Sequence, residues 1–448
     1  MSTNATLTGG AGAGAEFQFN GTGAAALGPS IISAINGLSG GGTLYSQVAG
    51  PGQWGPVPPG DTGQIHITSG GFYVIPSGFS FATVATPDHV TMVAQGALTV
   101  AASAGGMTYW GSNVANDVVV GGGNNDIHLQ HLSLNNVVLG DGADTVYAAG
   151  NSTIEAGAGG NVIYAGSDIS DSTVVMLQDA AGDTVVGGAG LDTVFASSNT
   201  TDGNSIYFGS GGGLYVGNTS ADTIVAGSGD VTAFGNNADN WVTGGSGSLT
   251  FIAGAGMSTL FGGSGTNLVF GGAGTAVDLE GAQGQIWVGG AGSATVVAGA
   301  SSNVTMFGYV GGSADLSGAG GALWVAASGS ETLNAANSTG NNEIFGGTGA
   351  TSVIGGSGAD TIVAGTGAMT ATGGGGDDVF AMLAVVGPNQ SLTISDFNGG
   401  DRMLLVGYAP GSGTITSAGS STSVQLTDGS EITFSGVTNL DPSNLIYG

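Results

Sequence analysis

Apolar residues recur along most of this chain in groups of three or four, and glycine-rich segments separate the groups. The pattern is most regular from Asn337 to Ala381, which contains five nine-residue units without insertion or deletion: NSTGNNEIF, GGTGATSVI, GGSGADTIV, AGTGAMTAT and GGGGDDVFA. Glycine occupies mainly the first, second and fourth positions of a unit, and the eighth position is apolar. Because glycine permits sharp turns and alternate strand residues face opposite ways, each unit is predicted to form a turn and a short strand.

Two successive units are predicted to make one coil, with the eighth residue of each unit pointing inward. Stacked coils would pair their backbone groups at a spacing of roughly 4.8 Å. Asp278 and Thr305 fall on the inward position and interrupt the apolar row, and a change of strand parity or a bulge is predicted for the strand that contains Asp278. Twelve further units run from Asn199 to Met306, and their inward residues include Ile206, Ile224, Phe251, Leu260, Val269, Trp287 and Val296.

The nonapeptide pattern divides the chain into three predicted parts. Residues 1–120 lack a recognisable repeat and are predicted to form an N-terminal β-rich cap or interaction region. Residues 121–381 are predicted to form the repeat solenoid, and residues 382–448 a C-terminal β cap. The predicted fold class is therefore all-β: a parallel β-roll or β-solenoid of nine-residue half-coils with β-rich caps at both ends.

One short helix is predicted in the N-terminal part, from Ser30 to Asn36, with Ser30 as its N-cap and Gly37 at its end. The first residues contain neither a basic n-region nor a continuous apolar h-region, so a cleaved Sec signal is not expected. Apolar runs stay below the roughly 18 residues that a membrane-spanning helix needs. Membrane insertion is therefore not predicted.

The charge balance excludes two classes of partner. Thirty acidic residues accompany a single cation, Arg402, and the formal net charge is −29. A nucleic-acid interface needs a basic patch, and anionic membranes attract basic segments, so neither partner is expected. Because the chain has no cysteine, disulfides and zinc–thiolate sites are excluded as well. The negative charge must be solvated, screened or neutralised by a bound metal ion.

The repeated unit resembles the sequence G-G-x-G-x-D-x-U-x, where U is a large apolar residue, of the calcium-binding RTX proteins. GGAGLDTVF matches that sequence at every defined position. After the repeats, SLTISDFNGGDRMLLVGY resembles the segment that follows them in many RTX proteins, and Arg402 is predicted to pair there with Asp396 or Asp401. The resemblance implies type I secretion with a signal within residues 382–448, and hence a secreted, extracellular or cell-surface protein.

The resemblance also implies calcium as the cofactor. Calcium takes roughly six to eight oxygen ligands, and in RTX proteins these come from the aspartate at the sixth position and from turn carbonyls of adjacent coils. The predicted metal ligands are the sixth-position aspartates Asp126, Asp144, Asp183, Asp192, Asp222, Asp360 and Asp378.

Every second unit is predicted to lie on the same edge of the solenoid, so residues 18 apart become neighbours. Asn267, Gln285 and Asn303 would form an amide ladder that needs no cation. Asp183 and Asp192 would lie on opposite edges of the solenoid. For these two residues, metal binding and a solvated turn aspartate without a metal remain alternatives. Three sets of residues that are 18 apart contain aspartate and are predicted to be neighbours in successive coils: Asp126–Asp144, Asn204–Asp222–Asn240 and Asn342–Asp360–Asp378.

No enzymatic activity is predicted. The zinc-protease sequence H-E-x-x-H is absent, and the four histidines have no such spacing. One G-x-S-x-G sequence occurs at residues 37–41, but no α/β pattern surrounds it.

The expected function is that of a secreted calcium-binding structural protein that assembles with itself into an extracellular layer, fibre or matrix. An adhesin that binds cell-surface polysaccharide through the N-terminal region is an alternative, and an ice-binding threonine array ranks third. Self-association is favoured because the outward ninth positions are often large and apolar and because the chain has no lysine to keep such surfaces apart. These positions are Ile252, Phe261, Phe270, Leu279, Val288 and Val297.

Overall fold

The computed structural model describes residues 2–9, 13–20, 22–49, 54–103, 105–130, 134–178, 182–196, 203–272, 274–279, 285–289, 294–298, 303–308, 311–317 and 319–448. The chain forms two compact units, Met1–Ala238 and Asp239–Gly448, called unit 1 and unit 2 below. None of the described helices is long and apolar enough to cross a membrane.

Unit 1 begins with an antiparallel hairpin, Ser2–Thr6 and Glu16–Asn20, followed by a helix, Thr22–Gly40. The helix is longer than the predicted Ser30–Asn36, and the hairpin was not predicted. The reason is tertiary packing: the apolar residues of both elements are buried together against a strand surface of the same unit. That cluster consists of Leu7, Phe17, Phe19, Ala24, Ile31, Ile32, Ile35, Ala101, Val119 and Val138.

The rest of unit 1 consists of coils that contribute strands alternately to two parallel sheets. Strands of sheet I are Leu44–Ala49, Thr62–Ile67, Phe79–Val84, Leu98–Ala102, Asn116–Val120, Leu134–Val138, Asn151–Ala156, Thr173–Leu177, Asp192–Phe195, Gly213–Val216 and Val231–Phe234. Strands of sheet II are Gly71–Ile75, Val90–Ala94, Met107–Trp110, Asp126–His128, Thr145–Tyr147, Val162–Tyr164, Thr184–Val186, Ser205–Tyr207 and Thr223–Val225.

Unit 2 repeats this arrangement with sheets III and IV. Strands of sheet III are Leu249–Ile252, Asn267–Phe270, Gln285–Val288, Asn303–Phe307, Gly321–Val325, Glu343–Phe345, Thr361–Val363, Val379–Leu383, Arg402–Val406 and Leu445–Tyr447. Strands of sheet IV are Trp241–Thr243, Thr259–Phe261, Ala276–Leu279, Ala294–Ala298, Gly312–Asp315, Glu331–Asn334, Thr351–Gly356, Ala368–Gly374, Ser391–Ile394 and Glu431–Ser435.

Unit 2 closes with an antiparallel hairpin, Thr414–Ala418 and Ser421–Gln425, which extends sheet IV beside Glu431–Ser435. Two short 3₁₀ helices, Ala384–Val386 and Pro442–Asn444, lie between its last strands. The predicted all-β class with parallel stacked coils is confirmed. Parallel strand pairing starts at Leu44 within unit 1, and within unit 2 it reaches Tyr447. Stacked coils are therefore present before residue 121 and after residue 381, the predicted limits of the repeat solenoid.

The core of each unit is the row of inward side chains. The inward residues predicted for the central repeats are all at most 1% exposed, from Ile206 and Ile224 in unit 1 to Phe251, Trp287 and Val296 in unit 2. The eighth-position prediction is therefore confirmed for these coils.

Coil length changes where the inward row was predicted to break. Val277 takes the inward place instead of Asp278 and lies beside Leu260 and Val296, because one coil is a residue shorter and the next a residue longer. Met306 replaces Thr305 in the same way and is fully buried beside Trp287. The core therefore stays apolar although the number of residues between stacked strands changes.

The same longer coil disrupts the predicted amide ladder. Asn267 does pair with Gln285 in register, but Gln285 then pairs with Val304, so the prediction for Asn303 is wrong. The side chain of Asn267 donates to the carbonyl oxygen of Gly265 at 3.1 Å, inside its own turn.

The outward ninth-position residues are divided between two sheets. Successive units belong to different sheets, so Ile252, Phe270 and Val288 lie on sheet III. Phe261 lies on sheet IV, where Asp278 is its neighbour in the next coil. Ninth-position residues therefore form a row only with residues of the same sheet.

We expect Gly365→Ala to destabilise unit 2 by about 1–3 kcal/mol or more, because a Cβ atom at this position would overlap the carbonyl oxygen of Gly347 in the preceding coil. Gly399→Ala is the matched control, since a Cβ atom there meets nothing within 4 Å. Thermal denaturation followed by circular dichroism would measure both changes. Equal melting temperatures for the two variants would contradict this account of coil contact.

Candidate metal centre

One polar residue per coil forms a ladder immediately before the strands of sheet II. Its members alternate between asparagine and aspartate: Asn125, Asp144, Asn161, Asp183, Asn204 and Asp222. Each backbone N–H from Asn125 to Asn204 donates to the Oδ1 atom of the next member at 2.7–3.0 Å. We call this set the amide–carboxylate ladder. It ties each coil to the next through buried hydrogen bonds.

Because asparagine and aspartate alternate, each aspartate also accepts a hydrogen bond from the side chain of the asparagine in the preceding coil. The Nδ2 group of Asn125 donates to Asp144 Oδ1 at 2.7 Å, and Asn161 donates to Asp183 Oδ1 in the same way at 3.0 Å. Two carboxylates therefore never occupy neighbouring coils in this ladder. Repulsion between buried charges is reduced without a bound cation.

The predicted position of Asp126 is wrong. Asn125 takes the place equivalent to Asp144, because Asp126 is in register with Thr145 and lies within the strand. The coil is one residue longer than the nonapeptide period implies. Asp126 instead faces outward, with Oδ1 3.1 Å from Nε2 of His128. It is not part of the ladder, and the predicted Asp126–Asp144 pair is not formed.

A second ladder precedes the strands of sheet III in unit 2. Its members are Asn342, Asp360, Asp378 and Asp401, and we call it the carboxylate ladder. The N–H groups of Asn342, Asp360 and Asp378 donate to Oδ1 of the next member at 2.7, 2.9 and 3.0 Å. Three aspartates follow one another here without an intervening amide, so negative charge accumulates along this edge.

Burial raises the pKa of several ladder aspartates. It raises the pKa of Asp144, Asp360 and Asp378 to about 6 and that of Asp183 to about 7, while hydrogen bonds from the preceding ladder member oppose the change. The neighbouring carboxylates of Asp360, Asp401 and Asp396 raise the pKa of Asp378 further. These charged forms are costly unless a cation compensates them.

The same four aspartates each keep one oxygen without a partner. Oδ2 of Asp144, Asp183, Asp360 and Asp378 is buried and accepts no hydrogen bond. A buried carboxylate oxygen in this situation is unusual and needs a compensating group. A cation that binds oxygen ligands would provide that compensation.

The turns beside these oxygens provide further oxygen atoms. A Cβ atom placed on Gly355 would meet both Asp360 Oδ2 and the carbonyl oxygen of Gly373 in the next coil. Likewise, a Cβ atom on Gly373 would meet Asp378 Oδ2. Carboxylate and carbonyl oxygens therefore converge where glycine leaves the space open. Such a donor set fits Ca²⁺, which prefers carboxylate and carbonyl ligands.

Two of the predicted metal ligands already accept hydrogen bonds from protein groups at both carboxylate oxygens. Asp192 accepts from the N–H groups of Thr173 and Gly188 at 3.1 and 2.9 Å, and burial raises its pKa. Asp222 Oδ2 accepts from the hydroxyl groups of Tyr215 and Ser220, while Oδ1 accepts from Asn204. Neither carboxylate requires a cation for its hydrogen bonding. As predicted, Asp183 and Asp192 lie at different sheets.

Within the described parts of the chain, no group of three or more His, Cys, Asp or Glu residues is arranged around one metal position. A calcium ion would therefore depend on backbone carbonyls in addition to one or two carboxylates. The predicted lines Asn204–Asp222 and Asn342–Asp360–Asp378 are present as hydrogen-bonded neighbours. Asn240 belongs to unit 2, before Trp241–Thr243.

The predicted pairing of Arg402 with a carboxylate is wrong. Its guanidinium donates to the carbonyl oxygens of Gly399, Gly400 and Asp401 at 3.4, 3.1 and 2.8 Å. The carboxylate of Asp396 accepts instead from the N–H groups of Gly373 and Gly374. Arginine thus stabilises the turn and leaves the carboxylate ladder uncompensated.

An aromatic stack on the outer surface of sheet II is a second candidate site. Trp110, His128, Tyr147 and Tyr164 lie in successive coils with ring centroids 3.9, 4.5 and 5.0 Å apart and interplanar angles of 2–9°. Their flat faces contact one another. The surface that the stack offers to a ligand therefore consists of ring edges.

A family model described as RTX calcium-binding nonapeptide repeat, in four copies, matches residues 139–169, 179–200, 216–248, 250–276, 337–368 and 354–381. These segments include Asp144, Asp183, Asp360 and Asp378, whereas Asp126, whose buried Oδ1 atom contacts His128, lies outside them. A comparison with curated proteins gives no match. The predicted repeat type and the predicted ion, Ca²⁺, are confirmed.

Proposed function

Because this chain carries RTX calcium-binding nonapeptide repeats, which typically occur in secreted proteins, we propose that it is a calcium-stabilised structural protein that assembles with itself outside the cell. The product would be an extracellular layer, fibre or matrix. The proposed role is non-enzymatic, and the principal partner is a second copy of the chain.

The observation that carries the calcium part of this proposal is the carboxylate ladder. Asp360 and Asp378 lie in adjacent coils, each with a buried Oδ2 atom that accepts no hydrogen bond. Extracellular calcium modules commonly bind at roughly 0.1–1 mM, so the ladder would be charged and unstable before secretion and compensated afterwards. Folding would then be coupled to export, through a type I signal that we place in residues 382–448.

The observation that supports assembly is the exposed apolar surface of the coils. Phe270, Ile286, Phe307 and Phe345 lie on one sheet and are 37–43% exposed. Calcium would also lower the repulsion between copies, because each copy carries a formal charge of −29. Apolar contact and charge neutralisation thus favour the same associated state.

The test uses the purified full chain in chelator, in millimolar magnesium and in millimolar calcium. We expect circular dichroism to show more β-structure in calcium, and light scattering with electron microscopy to show filaments or sheets in calcium only. Magnesium controls for charge screening, since it prefers a small octahedral site that retains water. A protein that stays monomeric in calcium at high concentration would contradict the assembly proposal.

An adhesin for cell-surface polysaccharide is the second candidate, and the aromatic stack is the feature that favours it. Sugar rings usually pack on the faces of aromatic rings, but the faces of His128 and Tyr147 are covered by their neighbours in the stack. We therefore rank this function below assembly. A glycan array with wild-type protein and a Trp110→Ala variant would identify a specific sugar ligand.

A further inference from the structure

One column of outward side chains on sheet III alternates in size from coil to coil. In hydrogen-bonded register, each residue of this column lies beside the next. Large phenylalanine and smaller aliphatic residues follow each other without exception over six coils. We call the set the zipper column: Ile252, Phe270, Val288, Phe307, Val325 and Phe345.

The phenylalanine side chains of the zipper column protrude and the valine side chains do not. Phe270, Phe307 and Phe345 are 37%, 43% and 37% exposed, whereas Val288 and Val325 are half-buried between them. Since coils repeat at roughly 4.8 Å, the phenylalanines form ridges about 10 Å apart with a groove at each valine. Ridges and grooves of equal spacing can fit into each other.

The neighbouring column of the same face contains three aliphatic residues, two threonines and one glutamate. It consists of Thr250, Leu268, Ile286, Thr305, Leu323 and Glu343, in the same coils. Across both columns Glu343 is the sole ionisable residue, and it lies in the last of the six coils. In a chain with a net charge of −29, this face is therefore a region where two copies can approach with little repulsion.

We propose that the zipper column packs against the zipper column of a second copy, related by a twofold axis parallel to the strands. The axis passes between the coils of Val288 and Phe307, so the order of coils is reversed in the partner. Each phenylalanine ridge then meets an aliphatic groove. The facing pairs are Ile252 with Phe345, Phe270 with Val325, and Val288 with Phe307.

The alternation of large and small side chains favours a second copy of this chain as the binding partner. An isologous contact requires a surface that is complementary to itself, and the alternation meets this requirement when the coil order is reversed. The symmetry also places Glu343 opposite Thr250 rather than opposite a second carboxylate. Interdigitated side chains of this kind form the dry interfaces between stacked sheets.

Unit 1 shows that such a column can be covered within this protein. On sheet I, Ala101, Val119 and Val138 occupy outward positions in successive coils, and they are buried beneath the N-terminal hairpin and helix. The cover is apolar and includes Phe17 and Ile32. The inference deepens the assembly function proposed above and rests on it, because it names the surface that joins two copies.

The experiment cross-links introduced cysteines with a short bifunctional thiol reagent, for which the absence of native cysteine gives a clean background. Leu268 and Leu323 flank the zipper column and face each other across the proposed axis, so neither substitution alters the column itself. A chain with Leu268→Cys is mixed with an affinity-tagged chain with Leu323→Cys in calcium and treated with a short bismaleimide, because opposed residues of packed sheets are roughly 10 Å apart, too far for a direct disulfide. We expect about tenfold more cross-linked dimer in the mixture than in either protein alone, where the equivalent residues are offset by a further three coils, or roughly 14 Å.

The matched control compares two exposed phenylalanines. Phe307→Asp, introduced into both cysteine chains, is expected to remove the cross-link, because it places two carboxylates in the apolar interface. Phe72→Asp is expected to leave it unchanged, since Phe72 is exposed, at 65%, but belongs to sheet II. Circular dichroism of each variant checks that the coils remain folded.

The outcomes separate this inference from the proposed function. Equal cross-linking in the mixture and in the single proteins overturns the reversed coil order. Absence of the cross-link in a wild-type background that still forms sheets or filaments overturns the zipper interface and leaves the proposed function intact. Specific dimers without any larger assembly support the interface and overturn the proposed layer, fibre or matrix.

Discussion

Replacing both Asp360 and Asp378 by asparagine is expected to reverse the effect of calcium on unit 2. In chelator the variant should melt at a higher temperature than wild type, because it lacks two buried charges whose pKa values are raised to about 6. In calcium it should melt at a lower temperature, because the ion loses its carboxylate ligands. At about ten times Kd, each lost site corresponds to about 1.4 kcal/mol of stabilisation.

Calorimetry in chelator and in calcium measures this crossover, and equilibrium dialysis measures the number of bound ions. The matched control replaces Asp192 and Asp222 by asparagine, which removes the same number of charges from carboxylates that already have protein donors. The control should bind as much calcium as wild type, whatever its melting temperature. An equal loss of bound calcium in both variants would show that unpartnered oxygens do not mark the sites.

Calcium is expected to stabilise the protein more at pH 8 than at pH 5. In the folded apo protein the pKa values of Asp144, Asp360 and Asp378 are about 6 and that of Asp183 is about 7, above their ordinary value of 3.8. The folded state therefore binds protons more tightly than the unfolded state. The stability that these groups contribute is fully present below about pH 4 and is lost as the pH rises through about 6 to 7.

Calcium competes with those protons, so the rise in melting temperature from chelator to calcium should grow across the same interval. Buried His66 acts in the opposite direction, because burial lowers its pKa and the unfolded state then binds the proton more tightly. Its contribution cancels in the difference between calcium and chelator at each pH. A calcium effect of constant size from pH 5 to pH 8 would refute the assignment of ladder carboxylates as ligands.

The nine-residue period could be recognised from sequence because it follows from local chemistry. Glycine turns and inward apolar residues recur at fixed intervals, and the burial of Phe251 and Trp287 confirms that pattern. Which polar residues become neighbours depends on the exact length of each turn. One extra residue placed Asn125 rather than Asp126 in the ladder, and a longer insertion hid Asp401 as its last carboxylate.

Some aspartates accept hydrogen bonds from side chains in another part of the coil. The repeat sequence does not show which side chains these are. Tyr215 lies on sheet I, yet its hydroxyl reaches Asp222, which follows in the next half-coil. Asn161 was missed for a related reason, because the coils on either side of it deviate from 18 residues. Hydrogen-bond partners across coils therefore require the folded arrangement.

The position of Arg402 determines where trypsin-like proteases can cut this chain. Trypsin-like proteases cut after lysine or arginine, and this chain has one such residue. The bond between Arg402 and Met403 lies inside a strand of sheet III, and Met403 is fully buried. Cleavage requires that strand to open, since proteases act on locally unfolded segments. An assembled material built from such chains would present to these proteases a single, concealed bond per molecule.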